Sequence, residues 1–205
     1  MARLLLRLVD PTHGQVRLGD VNLADVSVDE LRARTGVVSQ DVHLFASTIR
    51  DNLTLFDETV PDDRVRAALA ELDLIDWVDS MPLGLDTVLG PAGSGLSAGE
   101  GQLIALTRLF LRDPDFVLLD EASSRIDPLT EERVTRSIDR LLQGRTALVI
   151  AHRLSTVERL DQIIVLDGGT MVEHGATATL RDDPSSRYAK LLATRSPLSL
   201  DEILS

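Results

Sequence analysis

Cysteine is absent from the 205-residue chain, and lysine occurs once, at Lys190. The first absence excludes disulfides and cysteine-based metal sites. The second excludes a Gly-x-x-x-x-Gly-Lys-Ser/Thr loop, the usual backbone cradle for nucleotide phosphates. Lys190 stands in Tyr188-Ala189-Lys190-Leu191, an apolar helical context, and the glycine-rich stretch Gly90 to Gly95 has no lysine. No apolar run approaches the ~18–20 residues a membrane-crossing helix needs. Met1 to Val9 is interrupted by Arg3 and Arg7 and followed by Asp10, which breaks it too often for the core of a signal peptide. Basic residues are outnumbered, giving a net charge of −12, a poor endowment for wrapping nucleic acid. A chain of this length suits one domain, or a domain with a small subdomain, around a sizeable core.

What is present is organised around Gly95 to Asp127. Ser97 is a good N-cap, and Glu100 three residues later completes a Ser-x-x-Glu capping box. Leu103, Leu106, Phe110 and Leu111 recur at roughly helical spacing, and Pro114 ends that helix. Phe116 to Leu119 is a short continuous apolar run, as in a parallel strand buried on both faces. It ends in Asp120 and Glu121. Ligands of open α/β sheets sit beyond the carboxyl ends of the strands. Two adjacent acids there suit oxygen ligation of Mg²⁺ and activation of a water.

In chain order, Ala2 to Val9 reads as a buried helix with no N-cap, and Val16 to Leu23 as a hairpin around Gly19-Asp20. Ser27 to Arg32 is a short helix, and Gly36 to Ser39 a strand followed by Gln40. Ser47 is a candidate cap, Pro61 a first helical residue, and Arg64 to Met81 a small helical unit. Asp127 caps a helix from Pro128 to about Leu142, closed by Gly144. Thr146 to Ile150 and Gln162 to Leu166 read as further buried strands, with His152 just after the first of them. Tyr188 to Leu192 is a last short helix. Strands alternating with helices predict an α/β fold with a mainly parallel sheet. Parallel strands ending at Gln40, Asp120-Glu121 and His152 would bring these polar groups to one rim, as an active site requires.

These residues resemble the ATP-binding cassette (ABC) ATPases, exporter type, from Leu4 to about Gly175. Leu96-Ser97-Ala98-Gly99-Glu100 is similar to the family's Leu-Ser-Gly-Gly-Gln signature, and Phe116 to Glu121 to its Walker B strand. The resemblance implies a P-loop NTPase-like sheet flanked by helices, a helical subdomain at about 55–112 and an antiparallel β portion near the N-terminus. It implies a cassette over residues 1–195 and a tail at 196–205. It assigns Glu121 as general base, His152 as the switch histidine at the γ-phosphate, and Gln40 as the Q-loop residue near the Mg²⁺ and water. Asp120 positions Mg²⁺. Ser97, Gly99 and Glu100 belong to the signature that meets ATP held by a second cassette, and Asp127 to the D-loop crossing that interface. The implied cofactors are ATP and Mg²⁺, and the implied partners a second, identical or non-identical cassette and an exporter's transmembrane domain, at the cytoplasmic face of the membrane. Phe45 to Leu53 resembles the segment that docks on that domain.

The missing phosphate loop departs from the pattern, and Ala2 to Pro11 resembles the helix that follows such a loop. The expectation is a cassette truncated at its N-terminus, binding ATP poorly by itself. Ala98, Glu100 and Pro91-Ala92 are further departures; variants of this kind resemble those of heterodimeric exporters. Two alternatives stand beside the ATPase: a non-catalytic fragment lending only its signature face, and a soluble ABC-type ATPase acting on DNA, which the acidic charge disfavours.

Overall fold

The computed structural model describes residues 1–39, 42–120, 127–151 and 154–193. The chain divides into two compact units, Met1–Val149 and Ile150–Ser205.

The first unit opens with α1 (Ala2–Leu5), shorter than the helix expected to Val9, and no residue of it is buried. Arg7 turns left-handed at φ 51°. A single turn without a packed face has little to propagate it. Strands β1 (Arg17–Leu18) and β2 (Val21–Asn22) form the antiparallel hairpin expected around Gly19-Asp20. Ser27 Oγ accepts from the Glu30 N–H and starts α2 (Val28–Arg34), which runs into β3 (Thr35–Val38). Helix α3 (Ile49–Thr54) is capped by Thr48, not Ser47. The Thr48 oxygen accepts from Asp51 N–H, while the Ser47 hydroxyl donates to the Asp51 carboxylate. Helices α4 (Asp62–Glu71) and α5 (Ile75–Asp79) follow, with Pro61 at the N-cap of α4 and not at its first turn. Then come α6 (Ala98–Arg112), β4 (Phe116–Asp120), α7 (Pro128–Leu142) and β5 (Thr146–Ile150).

These last strands make a sheet of order β3-β4-β5 with β4 in the centre. Strands β3 and β4 are parallel, from Thr35 opposite Phe116 to Val38 opposite Leu119. Strand β4 is buried through Leu119 and half-exposed at Asp120. Strand β5 is half-buried where burial was expected, since it has no described strand on its outer side. The 15-residue helix α7 lies between β4 and β5 in the chain.

Helix α6 is the hub of the core. It buries Leu103, Ile104, Leu106 and Leu109 and packs against β3, α3, α4 and α7. The approach to β3 is close. A Cβ on Gly36 would stand 2.0 Å from Leu109 Cδ1 and 2.7 Å from Pro114 Cγ, so only glycine fits there.

The second unit holds α8 (Leu154–Val157), β6 (Gln162–Asp167), β7 (Thr170–Ala176), α9 (Thr177–Asp182) and α10 (Arg187–Ala193). The buried strand expected at Gln162 to Leu166 is instead half of an antiparallel hairpin with β7. It buries Ile163 and exposes Ile164 and Leu166. Gly168 and Gly169, at φ 54° and 80°, give the turn positive φ at both central positions, the geometry that closes a two-residue hairpin. Glu173 on β7 accepts from the N–H groups of Arg187 and Tyr188 and so anchors α10. Among the described residues no helix is long and apolar enough to cross a membrane.

Candidate functional site

Of the residues singled out in the sequence, Gln40, Glu121 and His152 lie outside the described residues. Asp120, Ser97, Gly99, Glu100 and Asp127 lie within them, all in the first unit. The parallel register of β3 and β4 puts the carboxyl ends of the two strands side by side, with Asp120 on the central strand. Its half-exposed carboxylate is the oxygen donor a hard cation takes, and Mg²⁺ is commonly held by one or two such groups together with phosphates. Among the described residues no group of three or more His, Asp or Glu is arranged to hold a metal alone.

The capping box at α6 is formed in full. Ser97 is extended at φ −70°, ψ 163°, which aims its side chain back along the helix. Its Oγ accepts from the Glu100 N–H at 3.3 Å, and its own N–H donates to Glu100 Oε2 at 2.7 Å. The N–H groups of Ala98 and Gly99 have no partner among the described residues. A helix N-terminus in this state suits an anion. Gly99 is buried in the first turn. Glu100, by contrast, has both oxygens engaged, the second accepting from Trp77 Nε1 at 2.9 Å. Asp127 caps α7 through a 3.0 Å bond accepted from Thr130 N–H, and the Thr130 hydroxyl together with that N–H holds its carboxyl below the usual range.

Burial acts to raise the Glu100 carboxyl, but the bonds from the Ser97 backbone and the Trp77 indole outweigh it, and the net shift is downward. A carboxyl depressed in the folded state contributes stability above its unfolded pKa and loses it as pH falls through the lower folded value. Glu100→Gln should therefore flatten the loss of stability as pH falls below the ordinary glutamate range, as urea midpoints at several pH values will measure.

Two structural features carry no signal in the sequence. Trp77 is one. The other is Asn52, fully buried and fully paired. Its Oδ1 accepts from Phe45 N–H and Arg108 Nη2, and its Nδ2 donates to the carbonyls of Phe45 and Thr48. Arg108 on α6 also donates to the carbonyls of His43 and Asn52, and burial lowers its pKa. The segment just beyond Gln40 is thus tied to the same helix whose first turn Ser97 caps. Near it, Phe45 and Phe56 pack edge to face at 5.2 Å and stay exposed.

A family model described as ABC transporter matches residues 1–124. The ATP-dependent lipid A-core flippase of Bordetella avium is 45% identical over 181 residues, covering 88% of this chain and 31% of the flippase. ABC transporter B family member 21 of Arabidopsis thaliana is 39% identical over 189 residues, 92% of this chain and 15% of that protein. Among solved structures, a bacterial Atm1-family ABC exporter with ATP bound superposes with a TM-score of 0.85 at 34% identity, covering 96% of this chain and 34% of the exporter. The chain spans about a third or less of the length of these relatives.

Proposed function

Since this chain belongs to the ABC transporter family, we propose that it is the nucleotide-binding cassette of an exporter, coupling ATP hydrolysis to transport through a transmembrane domain at the cytoplasmic face of a membrane. The observation that carries this reading is the turn Ser97 to Gly101, an anion-ready helix start built in the same unit as the central strand ending in Asp120. The likeness to an exporter with ATP bound supports it.

Roles follow from chemistry. Bound Mg²⁺ would neutralise phosphate charge as it builds in phosphoryl transfer. Asp120 would hold it, with Gln40 beside it. Glu121 would take a proton from the attacking water, and His152 would contact the γ-phosphate. The Ser97 hydroxyl and the Gly99 N–H would meet ATP held by a second cassette, with Asp127 at the same interface. The exposed Phe45–Phe56 pair and the Asn52-braced segment would meet the transmembrane domain.

The single lysine favours a sharper form of this reading. These 205 residues offer a signature face but no phosphate cradle. The nucleotide that this chain serves by itself is then the one its partner holds. Mixed with a family cassette that carries a phosphate loop, the chain should raise that cassette's ATP turnover, and Ser97→Arg should remove the gain by about tenfold or more, because the bulk and the lost cap disrupt the anion-facing turn. Turnover equally raised by the Ser97→Arg chain would refute the assignment. Retention on a DNA column at physiological salt would revive the DNA-directed alternative.

A further inference from the structure

The family signature carries glutamine where this chain has Glu100, and the structure gives a chemical reason for the change. The Glu100 carboxylate is approached by two donors, the Ser97 N–H at Oε2 and the Trp77 indole at Oε1. A capping box needs only one of those oxygens. A carboxylate accepts on both, whereas a glutamine would turn its NH₂ group towards one of the donors. The second bond is therefore outside the logic of helix capping. It runs from α5 to the first turn of α6, across 23 positions of sequence.

Trp77 is well placed to hold such a bond. It is the chain's only tryptophan, 9% exposed, and sits in the core cluster with Val78, Leu74 and Leu85. Its ring is fixed by that packing, so the indole N–H has one direction in which to point. A bond from a fixed donor to an ionised acceptor is of the stronger kind. It also keeps the Glu100 charge turned to α5, and the Ala98 and Gly99 N–H groups remain uncommitted among the described residues.

We propose that Trp77 and Glu100 are positioning residues that fasten the signature turn, Ser97 to Gly101, to helix α5, so that the turn moves with the helical segment before it. The physical link stands on its own; its consequence for ATP rests on the reading of that turn given above.

The test is amide and indole hydrogen exchange by NMR on the 205-residue chain, in which one indole cross-peak must belong to Trp77. In Glu100→Gln one of the two donors, the Trp77 indole or the Ser97 amide, loses its acceptor, and its exchange should quicken by about tenfold or more, the loss expected for a hydrogen bond to a charged group. In Trp77→Phe the amides of Ser97 and Glu100 should quicken by about the same factor, while those of Leu69 and Leu118 stay unchanged. An indole and a Ser97 amide both unmoved in Glu100→Gln would overturn the proposal. So would a uniform quickening across the core in either variant, which is what a loss of global stability gives. Glu100→Gln leaves the core untouched and reads the link even if Trp77→Phe does not fold. No nucleotide enters the measurement, so its failure and a failure of the ATP reading are separate results.

Discussion

Glu121→Gln should lower ATP turnover by about 10²- to 10⁴-fold at the nucleotide held against this cassette's own strand ends, the usual worth of a general base. Glutamine keeps the size and the hydrogen-bonding reach of the side chain but cannot take the proton from water. Binding should survive the change, so the loss should fall on kcat and leave KM nearly as it was. The measurement belongs in a pair of cassettes in which a family phosphate loop has been joined ahead of this chain, so that both nucleotide sites are complete. There the substitution should spare the nucleotide that meets Ser97, because that one is served by the partner's base. Ser97→Arg should do the reverse. A pair of variants that each silence one site, and opposite sites, is a pattern that general damage to the fold does not produce. If Glu121→Gln leaves turnover unchanged at the site formed by its own strands, Glu121 is not the base.

Leu103→Ala should cost about 2–5 kcal/mol of folding stability. Leu103 is fully buried on α6, the helix around which β3, α3, α4 and α7 are packed. Removing its branched end leaves a cavity lined by elements that are held from several sides and cannot close in on it. Against a total of about 5–15 kcal/mol for a domain, that is a large share. A urea denaturation series should show a lower midpoint with an unchanged slope. Leu129→Ala, on an exposed face of α7, should stay within about 0.5 kcal/mol of the parent. Equal effects at the two positions would show that α6 is not the hub.

Local signals made much of this fold legible in the sequence. The Ser97–Glu100 box, the Asp127 cap and the Gly19-Asp20 turn are short-range devices, each complete within a few residues. Strand β4 was legible because a strand buried on both faces is apolar at every position. The same rule misleads at Gln162 to Leu166, where an equally apolar run is half of an exposed hairpin. Composition cannot separate those cases; the pairing partner does. At Ala2 to Val9 apolar residues suggested burial, yet Leu4, Leu5 and Leu6 are only half-buried and no residue of α1 is fully covered. Ser47 and Thr48 are adjacent hydroxyls, and only backbone direction decides that Thr48 caps α3.

The parts of the site that stayed invisible are the long-range ones. Trp77 and Glu100 are 23 residues apart, Asn52 and Arg108 are 56 apart, and no periodicity joins them. Both pairs act on α6, one at its first turn and one two turns further on. The segment after Gln40 and the signature turn are in this way braced by a single helix. Asp120 could be placed at a strand's end from sequence because the continuous apolar run of β4 stops there.

Mg²⁺-ATP added to an equimolar mixture of this chain and a family cassette bearing a phosphate loop, followed by sedimentation velocity, tests most directly whether these residues form half of a shared nucleotide site. The account predicts a one-to-one complex that appears with ATP, that the Ser97→Arg chain fails to form, and that has no counterpart when ATP is added to this chain alone. A complex indifferent to both ATP and Ser97 would contradict it.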